Sequence, residues 1–248
     1  MKQPNEFIPA KSCEVCPTAD GSQTLYSNSV QEHYHSTFGA LQESRHIFIQ
    51  AGLLEAYRRK TAGTNPSLKV FELGLGTGLN ALLTILEAGK LQLNLSYDCI
   101  EAYPLSPDLI KALNYPALFS EQDQNKAAAV LDFIHSAKWN VRHTEPASHT
   151  TFTKFRGDFA LFELPQSYDL VYWDPFSPEK QAGMWTEELF ASMYKHMTTG
   201  SILVSYCAKG EIRRRLQRAG FGVERLQGPP GKREIGRASC RERVYHPV

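Results

Sequence analysis

Several groups of residues have the type and spacing to do chemistry. The run Phe71-Glu72-Leu73-Gly74-Leu75-Gly76-Thr77-Gly78-Leu79-Asn80 joins an apolar stretch to a helix-like one through glycines at alternating positions. Glycine allows a tight turn and close approach of backbone to a ligand. A helix N-terminus adds free N–H groups and the positive end of a dipole. Such a turn can also close without a ligand, so its surroundings matter. Glu72 stands two residues before the first glycine, and Glu101 ends the next apolar run, Cys99-Ile100-Glu101. A carboxylate in that place can accept both hydroxyls of a ribose. Asp174-Pro175-Phe176-Ser177-Pro178 follows the apolar run 170–173. In an open α/β sheet the carboxyl ends of the strands face the ligand crevice. A carboxylate beside rigid backbone carbonyls can hold the N–H groups of an amine, aim its lone pair and take its proton. A proline-rich turn is the plain alternative, and the position after a core strand weighs against it.

Basic residues gather late in the chain: Lys209, Arg213, Arg214, Arg215, Arg218, Arg225, Lys232 and Arg233, with Glu211 and Glu224 among them. A charge run is usually a solvated helix face, but one this dense beside a substrate mouth suits phosphate contacts on RNA. Cys13-Glu14-Val15-Cys16 has the spacing of half a zinc site or a redox pair. No second such pair exists, so no metal is expected.

The elements that must position these residues alternate. Strands are expected at 69–73, 93–100, 168–173, 201–206 and 221–226, and helices at 79–88, 106–119, 127–139, 186–197 and 210–218. Strands alternating with helices imply an α/β, doubly wound, mostly parallel sheet. The 248 residues suffice for one sizeable domain with an ordinary share of hydrophobic residues, 42%. A net charge of +1 argues neither for nor against a nucleic-acid partner. Residues 1–12 have no apolar core of a secretory signal, and no run is long enough to span a bilayer. The cytoplasm is therefore the expected location, with no membrane partner. Residues 1–63 read as an N-terminal extension packing on the core, with an amphipathic helix around Leu41, Ser44 and Phe48. Residues 64–234 read as the catalytic domain, preceded by a Gly/Pro/Asn loop over 61–67. Glu234 to Val244 resembles the translation of a common sequencing adapter, so residues 235–248 read as an assembly artefact, with a native basic tail as the plain alternative.

The glycine spacing is GxGxG, not the GxGxxG of dinucleotide sites, which disfavours a nicotinamide oxidoreductase. It resembles motif I of class I methyltransferases, whose loop holds the methionine part of S-adenosyl-L-methionine (SAM). Asp174-Pro175-Phe176-Ser177-Pro178 resembles the Asp-Pro-Pro-Tyr motif of enzymes that methylate exocyclic amines. The wider run Trp173 to Lys180, with Met184-Trp185-Thr186, Glu188-Leu189-Phe190, Gly231-Lys232-Arg233-Glu234, His33-Tyr34-His35-Ser36 and Glu43-Ser44-Arg45, is similar to the tRNA 5-methylaminomethyl-2-thiouridine methyltransferase family of Mnm type. The likeness covers about residues 18–234. It implies a Rossmann-like, SAM-dependent N-methyltransferase acting on the aminomethyl group of the wobble 5-aminomethyl-2-thiouridine of tRNA. It assigns SAM to Glu72, Gly74, Gly76, Thr77, Gly78, Asn80, Glu101, Asp158 and Asp174, with Asp158 beside the adenine. Asp174 is then also the catalytic residue, and Pro175, Phe176, Arg213, Arg214, Lys232 and Arg233 meet the tRNA. Pro175 stands where many relatives carry glycine, and the proline stiffens this loop. No flavin-domain motif follows, so a stand-alone form is expected, partnered by a separate flavin-dependent oxidase of the same pathway. The alternatives are another amino-methyltransferase, acting on adenine in DNA or RNA, and a noncatalytic SAM- or RNA-binding protein. The Met184-Trp185-Thr186 segment opposes the first, and the intact acids and glycines oppose the second.

Overall fold

Strands buried on both faces need near-continuous apolar sequence, and every residue of Tyr168–Trp173 is buried. The computed structural model describes residues 13–60 and 66–240, so most of the loop expected over 61–67, residues 1–12 and the tail beyond Cys240 lie outside the described residues. Three short antiparallel strands come first: β1 (Cys13–Pro17), β2 (Gln23–Ser27) and β3 (Glu32–His33). The central sheet comprises β4 (Ser67–Leu73), β5 (Asn94–Glu101), β6 (Arg142–Thr144), β7 (Thr150–Arg156), β8 (Tyr168–Trp173), β9 (Met197–Ser205), β10 (Phe221–Gln227) and β11 (Glu234–Cys240). Its order is β10-β11-β9-β8-β4-β5-β7-β6. Strands β7, β5, β4, β8 and β9 run parallel to one another, while β6 and β11 pair antiparallel. This is the Rossmann-like, doubly wound, mostly parallel α/β fold expected from the alternation.

Helices α3 (Leu79–Lys90) and α5 (Glu121–Ser136) contribute to one apolar core, and α6 (Glu187–Lys195) and α7 (Gly210–Arg218) to a second. The N-terminal segment contributes α1 (Ala40–Ser44), a π-helical stretch (Arg45–Leu54) and α2 (Glu55–Lys60). It lies against the sheet so closely that a Cβ on Gly52 would meet Val204 at 3.1 Å and Tyr172 at 3.2 Å. None of the helices among the described residues is long and apolar enough to cross a membrane.

The chain leaves β4 toward β5 and β7 on one side and later returns to β8 and β9 on the other. The strand order therefore reverses between β4 and β8, the place where open sheets hold ligands.

Three elements differ from expectation. The helix expected over 106–119 stops at α4 (Pro107–Ala112), because Asn114 adopts φ +44° and a separate 3-10 turn follows at Tyr115–Leu118. The helix expected from 127 already starts at Glu121, through a polar first turn without apolar periodicity. The β6–β7 hairpin was not expected, since Thr-Thr-Phe-Thr-Lys-Phe-Arg breaks the apolar run. Its Lys154 is buried and donates to the Ile134 and His135 carbonyls at 2.9 and 2.7 Å, at the C-terminus of α5 where a cation is favoured. Strand β11 lies inside the sheet, with Ile235, Ala238 and Cys240 buried. Placement and origin are separate matters: six residues of the adapter-like tail occupy this strand position, and resequencing the locus tests where those residues come from.

Candidate active site

A cavity of about 600 Å³ opens at the carboxyl ends of β4, β5, β7 and β8 and is roofed by residues 32–38. Backbone bonds tie these strand ends together. Gly74 N–H donates to Ile100 O and Gly157 N–H to Glu101 O, both at 3.1 Å. The glycine loop lines the cavity with Gly74 at φ +88° and Gly76 at φ +50°, a region that favours glycine. Tyr34 lies over the loop: a Cβ on Gly76 would be 3.2 Å from its ring, which also packs edge-on against Phe176 at 5.0 Å.

Glu101 faces the cavity and is held by the Gly76 N–H at 3.0 Å and the Tyr103 N–H at 2.8 Å. Burial raises its pKa, and those backbone donors pull the other way. Asp158 also lines the cavity, where one oxygen caps a 3-10 turn by accepting from Ala160 N–H at 2.9 Å. The buried Thr77 Oγ1 and Asn80 Oδ1 have no hydrogen-bond partner among the described residues.

Asp174 follows β8 directly. Each residue of its loop is fixed. Asn80 Nδ2 donates to Asp174 Oδ2 at 2.9 Å, and Tyr206 OH to Pro175 O at 2.9 Å. Trp185 Nε1 donates to Phe176 O at 2.7 Å, and Phe176 N–H to Gln181 Oε1 at 3.0 Å. Ser177 Oγ donates to Glu32 at 2.7 Å. The Pro175 and Phe176 carbonyls thus already have donors, and Asp174 Oδ1 has no partner among the described residues. Burial, aided by the Glu43 carboxylate, pushes Asp174 up to about 8, against the pull of Asn80 and Lys232. Lys232 pairs with the buried Glu43 and sits over the Tyr206 ring at 4.3 Å. Burial drives the neighbouring His35 down to about 4, so its imidazole is neutral at pH 7.

The structure therefore gathers Gly74, Gly76, Thr77, Asn80, Glu101, Asp158, Asp174, Pro175, Phe176 and Lys232 around one cavity. Glu72 lies beneath it, fully buried, and accepts from Tyr97 OH at 2.7 Å. Gly78 precedes α3 at φ +79° and faces His135 rather than the cavity. Arg213 and Arg214 lie on α7, away from the cavity wall. Arg233 lines an adjoining groove with Lys209 and Arg225 that shares Tyr206 and Lys232 with the cavity. The basic residues are thus split between a helix face and a groove at the mouth. No group of histidine, cysteine or carboxylate side chains that could hold a metal occurs among the described residues. Sequence reasoning assigned no role to Glu32, Glu43, Gln181 or Tyr206. Of these only Tyr206, directly after a parallel strand, carried a signal, the strand-end rule itself.

The family model for S-adenosyl-L-methionine-dependent methyltransferases matches residues 121–241. The tRNA 5-methylaminomethyl-2-thiouridine biosynthesis bifunctional protein MnmC of Pseudomonas syringae pv. syringae is 32% identical over 232 residues, 89% of this chain and 34% of that protein. MnmC of Pseudomonas fluorescens Pf-5 is 32% identical over 209 residues, 82% of this chain and 31% of that protein. Residues 121–241 thus match a SAM-dependent methyltransferase family, and the chain is similar to MnmC proteins over most of its own length. It spans about a third of the length of these MnmC proteins. In fold it matches the crystal structure of MNMC2 from Aquifex aeolicus with a TM-score of 0.71 at 23% identity, over 96% of this chain and 72% of that one. The matched family is SAM-dependent, and the cavity fits that cofactor. It combines a glycine cradle, a strand-end carboxylate for a ribose diol, and the orphaned hydroxyl of Thr77.

Proposed function

We propose that this domain transfers the SAM methyl to the primary amine of 5-aminomethyl-2-thiouridine at the wobble position of tRNA. The observation that carries this reading is Asp174 Oδ1, without a partner among the described residues and in the same cavity as the glycine loop and Glu101. The curated MnmC proteins carry that modification in their names. SAM supplies an activated methyl on a cationic sulfur. The chain's own residues do the rest. The Gly74–Gly76 backbone and Thr77 hold the amino-acid part beside Asn80, Glu101 holds the ribose and Asp158 the adenine, with Gly78 shaping the turn into α3. Asp174 accepts an N–H of the amine, turns its lone pair toward the methyl and takes up its proton. An ammonium has no lone pair, so that proton must leave. A carboxyl titrating near 8 is a closer match to an alkylamine than an ordinary aspartate is, so the transfer is less uphill. Pro175 and Phe176, fixed by Tyr206 and Trp185, form a rigid wall for the base. A deletion strain should accumulate unmethylated aminomethyl-thiouridine in its tRNA nucleosides by mass spectrometry. Unchanged nucleosides would reject the substrate.

The tRNA backbone engages the basic residues, and the location is the cytoplasm, where that substrate is. A flavin-dependent oxidase of the same pathway is the proposed partner in supplying the amine. Lys209, Arg215, Arg218 and Arg225 are paired with carboxylates, whereas Arg213, Arg214 and Arg233 have no carboxylate partner among the described residues. Alanine at Arg213, Arg214 and Arg233 together should weaken tRNA binding and flatten its salt dependence, by up to about 0.9 in log–log slope for each phosphate no longer neutralised. SAM affinity should not move. An unaltered salt series would make these arginines a solvated surface.

A further inference from the structure

Glu72 is fully buried, yet nothing charged balances it. The groups that face it are Tyr97, Asn80, Asp174, Glu101, the Cys99 thiol and Tyr172. None is a cation, and Glu72 forms no ion pair among the described residues. An isolated buried carboxylate is costly, and such a group takes a proton instead. Its hydrogen bonds point the same way. Oε2 accepts from Tyr97 OH, while Oε1 is buried without a partner among the described residues. The amide of Asn80 lies against Glu72 and donates from Nδ2 to Asp174, and its Oδ1 is likewise buried without a partner. Two orphaned oxygens lie on neighbouring side chains, and one carboxyl proton supplies the donor that both lack.

We propose that Glu72 is a protonated positioning residue, which holds Asn80 by its carboxylic acid and thereby sets the Asn80 amide against Asp174. Tyr97 anchors the far oxygen, Glu72 donates to Asn80 Oδ1, and this fixes which end of the amide faces Asp174. The bond from Asn80 stabilises the ionised form of Asp174, the form that accepts a proton. Burial, with the Asp174 carboxyl, raises the pKa of Glu72 well above the usual carboxylate range, against the pull of the Tyr97 hydroxyl and the Asn80 amide. Glu72 then acts on the amine only through Asn80 and Asp174, not as an anion that attracts the cofactor.

This inference rests on the methylation reading for its kinetic arm alone. At pH 7 the infrared difference spectrum between the wild type and Glu72→Gln should show the carbonyl band of a protonated carboxylic acid, whatever the substrate is. Glu72→Ala should lower kcat by about 10- to 100-fold, the scale of one buried hydrogen bond, with SAM affinity within about threefold. It should also move the pH at which the rate half-rises upward, since Asp174 loses its oriented donor. Glu72→Gln carries an N–H donor in place of the acid and should recover most of the lost kcat and the original pH midpoint. A carboxylate band at Glu72 would overturn the proposal. So would a glutamine variant as slow as the alanine one, or one that loses SAM affinity. If the alanine variant does not fold, the spectrum and the near-isosteric glutamine variant still decide.

Discussion

Asparagine at position 174 should slow methyl transfer by roughly 10²–10⁴-fold, the usual worth of a positioned acid or base, while SAM affinity changes little. Asparagine keeps the shape of aspartate and can still meet the Asn80 amide, but it cannot take a proton. The remaining positions of the loop are held by Tyr206, Trp185, Gln181 and Glu32, so the substitution leaves the wall intact. For the wild type, single-turnover rates on tRNA bearing the aminomethyl group should rise with pH through about 8, as Asp174 ionises and the amine loses its proton. The same group makes a stability prediction whose sign follows from linkage. The folded pKa of Asp174 lies above its ordinary value, so between roughly pH 4 and 8 the folded chain binds more protons than the unfolded one. Stability from this group is complete below the unfolded pKa and is lost as pH rises toward 8. Asp174→Asn removes that cost. It should stabilise the free protein by on the order of 2–4 kcal/mol above pH 8, allowing for water in the cavity, and by almost nothing at pH 4. Thermal unfolding across pH measures it. Near-normal transfer with normal SAM binding would make Asp174 structural.

Valine at Gly76 should abolish SAM binding, a loss of about 100-fold or more from backbone strain and overpacking together. Gly76 sits at φ +50°, where a β-branched residue is strained, and its added carbon would lie 3.2 Å from Tyr34. The branch would intrude where backbone must meet ligand. The same position donates its N–H to Glu101, so the variant disturbs both proposed ends of the site at once. Glu101→Ala should cost about 1.5–3 kcal/mol of SAM affinity, the range for hydrogen bonds to a charged acceptor. Calorimetry on both variants separates the loop from the carboxylate. Unchanged affinity in both would remove SAM from this loop.

Much of this arrangement was legible in the residues because it is local. The glycine spacing, the acid ending the second strand and the aspartate ending Tyr168–Trp173 each sit beside an apolar run that announces its strand. The roof of the cavity was not legible in the same way. Glu43 meets Lys232 across 189 positions and Glu32 meets Ser177 across 145, and no periodicity in one segment signals a partner so distant. Strand β7 was hidden because its buried lysine satisfies helix carbonyls, a role that makes the sequence look like a polar loop. Glu72 was legible in type but not in setting. Its place before the glycines suggested ligand contact, but strand alternation turns it under the loop, toward Tyr97.

The most direct test of the central claim is methylation in vitro. The purified chain is incubated with SAM and tRNA carrying 5-aminomethyl-2-thiouridine, and the nucleosides are then read by mass spectrometry. One added methyl is expected on the aminomethyl nitrogen of the wobble uridine, present with the wild type and nearly absent with Asp174→Asn. A protein that binds SAM yet leaves that nucleoside unmethylated, or that places the methyl on another base, would contradict it.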